Sequence, residues 1–423
     1  MEIIADLHVH SRYAMACSSN ITIKGMEATA QEKGITVLSA ADFTHPLWMK
    51  EIEGNLEEDG GTGLYKVKGS SSSIRFILGT ELSTVYTGDD DKIKKIHHCV
   101  LMSSLDRVKV LNDMLSKYGN LSADGRPTLS VNAAELVDII KSADQDSFIF
   151  PAHAWTPWFG VFGSMSGFDS LKDAYKERAK DIYAIETGLS SDPKMNWRIS
   201  SLDKYALISN SDFHSLPKMG REANVFDIKS KVLSYEGIIE AIKEKSQSSF
   251  KKTIEFYPEE GKYHYDGHRN CNFSIDPQKE SSQICPVCGK RLVIGVLHRV
   301  NDLADRPDGY VPKSAIPYIH LIPLIEVIGY VMKKSTYSKD VVAQREKLLG
   351  ALGTEFEVLM HADYDAIQAA SSSEIAQAIQ NMRDEKVTLE PGYDGTYGKI
   401  DLLSREKPAK PKPKQRGISQ FLE

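Results

Sequence analysis

Long apolar runs are missing from this sequence of 423 residues, and none approaches the ~20 residues of a membrane-spanning helix. The N-terminus lacks a charged segment followed by an apolar one, so we predict no secretory signal and expect a cytoplasmic protein. Cysteine is scarce, since the chain has five, three of them between positions 271 and 288. This usage argues against disulfides and favours a metal site in a reducing compartment.

An excess of positive charge is also absent. The chain has 52 basic and 58 acidic residues, a net charge of -6. The net negative charge therefore does not favour binding to nucleic acid. Binding to DNA, or association with the nucleoid, would require local patches of basic residues.

Apolar, strand-like runs alternate with amphipathic, helix-like segments from residue 1 to about 235. Residues 35–40 and 76–80 are strand candidates, and residues 133–141 have a helical pattern. This alternation predicts an α/β fold with a parallel sheet or barrel. Residues 313 to about 388 have mainly helical patterns, and the Pro/Lys tract at 407–414 is typical of an extended linker.

Residues able to bind metal ions follow most of the strand candidates. His8 and His10 end the first strand on one face, because alternate residues of a strand point the same way. Two imidazoles on one face can hold one transition metal ion. The others that lie at strand ends are Asp42, His45, Glu81, His97, His98, His153, Glu186, Asp212 and His214. Because parallel barrels gather their strand ends at one face, we predict a multinuclear metal site.

This pattern resembles the polymerase and histidinol phosphatase (PHP) superfamily, through the motifs at His8, His10, Glu81, His98, His153 and Asp212-Phe213-His214. The resemblance implies a distorted (β/α)7 barrel with two or three divalent ions, which are Zn, Mn, Mg or Fe. It implies three ligand sets: His8, His10, Glu81 and Asp212; Glu81, His98 and His153; and His45 with His214. Asp212, His153 and Glu81 are then the catalytic candidates, and the ions would activate a water that attacks a phosphoester.

Two details of this assignment depend on single residues. His98 is preferred to His97, because His98-Cys99-Val100-Leu101 better fits the superfamily's pattern of a histidine followed by an apolar strand. The superfamily's additional ligand after the first two histidines is missing, since residues 12–19 offer only Cys17. The third ion therefore lacks one expected ligand.

A second candidate metal site has the ligand spacing of a structural zinc. His268 precedes Cys271 by three residues, and Cys285 precedes Cys288 by three. These four residues offer soft ligands for a tetrahedral zinc ion, in which His264 or His298 can replace His268. Such an element either has a purely structural role or also contacts nucleic acid.

The last residues have the spacing of a short docking motif. In a helical turn, Ile418, Phe421 and Leu422 would share one face, with Gln415 preceding them. The motif resembles the sliding-clamp-interaction box of replication and repair proteins, which favours an archaeal source. The alternative is a frayed tail with incidental apolar residues.

Aromatic residues follow His153 directly. Trp155, Trp158 and Phe159 are joined by proline and glycine, so they lie on a loop that either stacks against an unpaired base or packs as a lid on the barrel.

Together these features resemble the endonuclease Q family over essentially the whole chain. The implied domains are a PHP barrel at 1–250, a zinc-binding element at 251–312, a helical C-terminal domain at 313–400 and a linker with the clamp motif at 401–423. The implied activity is nicking of DNA on the 5′ side of uracil, hypoxanthine, xanthine and abasic sites. The resemblance further implies a pocket for the lesion, in which main-chain groups near Gly188 and Ser190, or the side chain of Asn196, would contact the deaminated base. The alternatives are a small-molecule phosphatase of the histidinol-phosphate type and a non-catalytic, clamp-bound DNA-binding module.

Overall fold

The computed structural model describes residues 2–230, 232–280 and 282–403. The predicted clamp-binding residues Gln415, Ile418, Phe421 and Leu422 lie outside them. No helix within the described ranges is long and apolar enough to cross a membrane.

Strands and helices alternate along most of the chain. The strands are β1 (Glu2–Asp6), β2 (Val37–Ser39), β3 (Leu56–Glu58), β4 (Tyr65–Val67), β5 (Arg75–Thr87), β6 (Ile93–Met102), β7 (Thr128–Leu129), β8 (Phe148–Pro151), β9 (Ala184–Glu186), β10 (Ala206–Ile208), β11 (Ala223–Asp227), β12 (Phe250–Glu255), β13 (Asp266–His268), β14 (Phe273–Ile275), β15 (Tyr318–His320), β16 (Thr388–Glu390) and β17 (Lys399–Asp401). The α-helices are α1 (Ile23–Lys33), α2 (Pro46–Asn55), α3 (Leu105–Leu115), α4 (Ala133–Ala143), α5 (Leu171–Tyr175), α6 (Pro193–Asn196), α7 (Tyr235–Glu244), α8 (Val296–Leu303), α9 (Leu324–Met332), α10 (Lys339–Leu352), α11 (Tyr364–Ala370) and α12 (Ser373–Arg383). Short 3-10 turns cover Lys176–Asp181, Ser200–Leu202, Leu216–Lys218, Pro258–Glu260 and Arg269–Cys271, and Glu357–His361 is a π-helical turn.

The main sheet is mixed rather than parallel. Its strand order is β15-β12-β11-β1-β2-β5-β4-β3, and β6 connects β5 to β8. The pairs β1–β2 and β2–β5 are parallel, whereas β1–β11, β5–β6 and β6–β8 are antiparallel. The predicted mixing of helices and strands is confirmed, but the sheet is not the parallel one that the alternation suggested. A closed seven-stranded barrel stays a prediction.

A tight hairpin explains the antiparallel pairing of β5 and β6. Gly88 N donates to Lys92 O at 2.8 Å, and Asp91 has a left-handed φ of 57°. A connection of five residues is too short for the crossover that parallel neighbours need. The hairpin also sets the register in which Glu81 lies opposite Cys99.

The strand ends form a ring even where the ladder is interrupted. The parallel pair β9–β10 is joined to β8 by a bond from Ala154 N to Glu186 O of 3.0 Å. On its other side, an isolated bridge pairs Phe213, after β10, with Val9, after β1. The carboxyl ends of β1, β8, β9 and β10 therefore meet around one opening.

Helices cover the outside of this sheet for local reasons that α4 illustrates. Asn132 accepts from Glu135 N while the Glu135 side chain accepts from Asn132 N, so both ends of this capping box satisfy a backbone donor. Leu136, Ile139 and Ile140 are buried along one stripe of the helix.

The C-terminal helices are held against the first part of the chain by a buried ion pair. Lys33 Nζ, at the end of α1, is 2.9 Å from Glu355 Oε1, and both side chains are only 4% exposed. Arg345 on α10 contacts the other Glu355 oxygen at 3.2 Å. Gly34 follows α1 with φ +88°, and a Cβ there would lie 2.6 Å from Thr354 Oγ1. In addition, β12 and β15 pair within the main sheet, so the predicted boundaries at 250 and 313 lie close to strands of one sheet.

Candidate metal centre

Four predicted ligands surround one point at the strand ends. His10 Nε2 lies 3.0 Å from both Glu81 Oε2 and Asp212 Oδ1, and His8 Nε2 lies 3.5 Å and 3.8 Å from the same two atoms. All four ligand atoms lie within 4.8 Å of one another. The histidines and Glu81 are buried, whereas the side chain of Asp212 is 24% exposed.

The orientation of these groups fits a divalent cation. His8 Nε2, His10 Nε2 and Asp212 Oδ1 are buried but have no hydrogen-bond partner, because their close contacts lack hydrogen-bond geometry. The opposite ring nitrogens contact carboxylates, His8 Nδ1 at 3.0 Å from Glu186 and His10 Nδ1 at 3.1 Å from Asp42. A carboxylate on Nδ1 selects the tautomer whose Nε2 lone pair is free for a metal ion.

A second group shares the Glu81 carboxylate. Glu81 Oε1 lies 2.7 Å from His97 Nδ1 and 3.1 Å from His153 Nε2. The two imidazole nitrogens are 3.2 Å apart. Because Oε2 faces the first group and Oε1 the second, Glu81 is placed to bridge two ions.

The electrostatics of the second group favour the ligand forms of Glu81 and His97. Burial alone would raise the pKa of Glu81, but the contact with the His97 ring and the positive charge of Arg126 hold that pKa well below its ordinary range. Burial lowers the pKa of His97 to about 4, which leaves the neutral imidazole that metal binding requires.

The prediction that His98 rather than His97 belongs to this centre is wrong. In the register of β5 and β6, His98 lies opposite Leu82, whereas Cys99 lies opposite Glu81. His97 shares the face of Cys99 and Glu81 because side chains alternate. His98 faces the other side, where its ring nitrogens contact Tyr175 Oη at 2.8 Å and Thr84 Oγ1 at 3.0 Å.

The structure does not assemble the predicted third ligand set. His45 stacks on Tyr13 with ring centroids 4.5 Å apart, and His214 Nδ1 contacts Asp212 O at 2.9 Å. Within the described ranges, neither histidine belongs to a group of three or more close ligand atoms.

The predicted zinc ligands do come together. The ligand atoms of His268, Cys271, Cys285 and Cys288 lie within 4.8 Å of one another. The pair Cys285 and Cys288 lies in a turn closed by a bond from Cys285 N to Lys290 O of 2.8 Å. The two alternatives to His268 are outside the group. His298 Nδ1 contacts Asp266 at 2.5 Å, and His264 is a separate, buried side chain.

Known proteins are similar in sequence to large parts of this chain, including the residues of both candidate metal sites. Residues 323–386 match the model of the MJ0043 C-terminal domain family. The chain is 30% identical to YqxK of Bacillus subtilis over 417 residues, 94% of this chain and 99% of YqxK. It is 34% identical to MJ0043 of Methanocaldococcus jannaschii over 259 residues, but this match covers only 31% of MJ0043.

Two solved structures are similar along almost the entire chain. The lesion-specific endonuclease Q of Pyrococcus furiosus superimposes with a TM-score of 0.83 at 31% identity, covering 95% of each chain. A complex of endonuclease Q with a 27-mer duplex substrate, which has an abasic lesion at the active site, gives 0.82 and 31%, covering 95% of this chain and 96% of that one.

This chain belongs to the endonuclease Q family. The family predicted from the sequence motifs is thereby confirmed.

The lesion-contacting residues predicted for this endonuclease Q relative divide into two sets. Trp155 is 1% exposed and donates from Nε1 to Asn196 Oδ1 at 2.8 Å, and Asn196 is itself 1% exposed. Each side chain is buried against the other, and their contact with DNA stays a prediction. Trp158 is 38% exposed and packs edge-on against Tyr263.

The remaining candidates lie beside the metal ligands. The Phe159 ring is 4.3 Å from the ring of His97. Gly188 has φ +62°, and a Cβ there would lie 2.7 Å from His153 Cβ, so glycine is needed for the approach of the histidine. Ser190 is partly exposed two residues further on.

Sequence reasoning missed Arg126. Its Nη1 lies 3.1 Å from Glu81 Oε2, and its side chain is 22% exposed. Arg126 lies in a loop before β7 and belongs to no recognisable motif, so nothing in its sequence context indicated this role.

Several residues of the centre have left-handed backbone. The φ angles are 31° for Asp42, 27° for His153 and 44° for Asp212. Each residue follows a strand directly or within a few positions, and the sharp turn directs its side chain into the opening. Such conformations are uncommon for residues other than glycine.

Proposed function

We propose that this protein is a metal-dependent DNA repair endonuclease that nicks DNA on the 5′ side of deaminated bases and abasic sites. The observation that carries the proposal is the shared Glu81 carboxylate, which joins two ligand groups at one opening. The whole-chain likeness to endonuclease Q, one structure of which holds a duplex with an abasic lesion, supports DNA as the substrate.

His8, His10, Glu81 and Asp212 would hold one ion, and Glu81, His97 and His153 a second. Ions held there would polarise the scissile phosphate and lower the pKa of an attacking water. The carboxylates of Asp42 and Glu186 fix the ring orientation of His10 and His8.

Two side chains of the centre are placed on the substrate side. Asp212 is 24% exposed and His153 is 11% exposed, whereas Glu81 is fully buried. Asp212 is therefore the group that orients the attacking water, and His153 the group near the leaving oxygen. His153 Nδ1 contacts Thr156 Oγ1 at 3.0 Å, which fixes its ring.

Lesion recognition is assigned to the surface around Trp158, Phe159 and Ser190, which the structure leaves accessible. A deaminated or missing base unstacks more cheaply than a normal pair, so extrusion toward this surface would select lesions. The proposed clamp contact through Gln415, Ile418, Phe421 and Leu422 is based on the sequence motif.

An end-labelled nicking assay tests the proposed activity. Duplexes with one uracil, one hypoxanthine, one xanthine, one abasic analogue or no lesion are incubated with the protein and Mn²⁺, Mg²⁺ or Zn²⁺. We expect a nick only in the lesion strand, on its 5′ side. Phosphate release from histidinol phosphate without nicking would instead indicate a phosphatase, and inactivity with retained DNA binding would indicate a binding module.

Matched variants connect the activity to the centre. Asp212→Asn should abolish nicking, whereas Asp59→Asn should not. Asp59 is also a partly exposed carboxylate, and its partner Arg75 lies six residues before Glu81 in β5, about 20 Å away along the strand. Equal activity in the two variants would contradict the assignment. For the tail, deletion of residues 415–423 should remove binding to a sliding clamp and leave basal nicking unchanged.

A further inference from the structure

Arg126 brings a permanent positive charge to the carboxylate that joins the two ligand groups. Its Nη1 is 3.1 Å from Glu81 Oε2, the same oxygen that faces His8 and His10. The Arg126 side chain is 22% exposed while Glu81 is fully buried, so the guanidinium lies on the open side of the centre.

The loop that contains Arg126 is hydrogen-bonded to β5 and packs against Asp42, close to the candidate ligands. Ser83 N, two residues after Glu81 on β5, donates to Pro127 O at 3.0 Å, and Arg126 N donates to Asp124 Oδ1 at 2.9 Å. A Cβ on Gly125 would lie 2.5 Å from Asp42 Oδ2, the carboxylate that orients His10. The loop is therefore packed closely against the centre, and the partly exposed Arg126 side chain extends from it.

The single negative charge of Glu81 would be shared by two divalent ions, so a guanidinium in this position is unfavourable unless a further anion lies between it and the ions. Arginine stays protonated in proteins, so it cannot relieve the repulsion by losing a proton. A phosphodiester oxygen satisfies both sides, because it accepts from the guanidinium fork and also carries the negative charge that the ions attract.

We infer that Arg126 binds a non-bridging oxygen of the scissile phosphodiester. The inference rests on the proposed nicking activity and assigns a further substrate-binding residue to it. Arg126 exchanges its contact with Glu81 for the phosphate when DNA enters.

A binding cycle tests this contact separately from catalysis. The probes are two fluorescent lesion duplexes, one with a normal phosphodiester and one with a neutral methylphosphonate at the linkage that the wild type nicks. Dissociation constants are measured with Ca²⁺ for the wild type, Arg126→Met and Arg126→Lys. The control is Arg75→Met, since Arg75 is also 22% exposed and paired with a carboxylate.

We expect the wild type and Arg75→Met to prefer the phosphodiester by about tenfold more than Arg126→Met does. Arg126→Lys should recover part of that preference, because lysine keeps the positive charge but cannot donate two parallel hydrogen bonds to the phosphate as a guanidinium does. An equal preference in the wild type and Arg126→Met would overturn the inference and leave Arg126 as a counter-ion of Glu81. Failure of the wild type to nick any lesion duplex would instead overturn the proposed function, and the inference with it.

Discussion

The adjacent histidines of β6 offer the most direct check on the centre, because the structure gives them opposite roles. His97 contacts Glu81 and His153 on the face of the ligand groups. His98 lies on the other face against Tyr175 and Thr84. Substituting each by alanine should therefore remove metal in the His97 variant only.

The expected magnitudes follow from these contacts. His97→Ala removes one of three predicted ligands from the second group, so nicking should fall by about 100-fold, and because it also removes a buried ring it should lower the stability as well. His98→Ala removes a fully buried ring and leaves the Tyr175 hydroxyl without its partner. The cavity and the unpaired hydroxyl together should lower the free energy of unfolding by about 3 kcal/mol.

Three measurements on both variants decide the matter. Metal content is measured after dialysis against a limiting concentration of Mn²⁺. Nicking is measured on a duplex with an abasic site, and stability is measured by urea unfolding. Both variants should unfold at a lower urea concentration than the wild type, but only His97→Ala should lose about one ion per chain, whereas His98→Ala should keep its metal content. Loss of metal from His98→Ala but not from His97→Ala would show that the register of β5 and β6, and with it the second ligand group, is wrong.

Three further predictions concern other parts of the chain. Cys285→Ser should reduce the zinc content by about one ion per chain and expose residues 266–293 to proteolysis, because a structural zinc site folds with its metal. Lys33→Met should lower the free energy of unfolding by about 3 kcal/mol by leaving buried Glu355 short of one partner, and adding Glu355→Gln should restore part of the loss. Burial would lower the pKa of His320, but contact with Asp192 and Glu385 raises this pKa to about 10. Its stabilising contribution is therefore complete below about pH 6.5 and lost as the pH rises through about 10, so His320→Gln should reduce the urea midpoint at pH 6 but hardly at pH 10.5.

Much of the centre could be predicted because its residues lie at strand ends. His8 and His10 share a face through strand alternation alone, and Asp212 follows an apolar run that is indeed a strand. The spacing of the Cys and His residues in the zinc element is also a local property, and the structure brings those four side chains together.

The features that were not predicted depend on strand pairing and on packing between segments. The choice between His97 and His98 depends on the register of β5 against β6, which the turn at residues 88–92 sets. The proline and glycine near Trp155 predict a loop, but Trp155 is buried against Asn196, which lies forty-one residues later in the chain. Arg126 contacts Glu81 because β7 pairs with β5. The spacing of residues along the chain does not predict this pairing.

The left-handed backbone at Asp42, His153 and Asp212 limits how this protein can be made more robust. Each such residue costs about 1 kcal/mol that glycine would not. A change such as Asp212→Gly therefore removes a predicted metal ligand while relieving the backbone strain, and we expect heat resistance to rise as the proposed activity disappears. Selection for thermostability alone would deplete the centre first, so any such screen of this family needs a simultaneous selection for turnover.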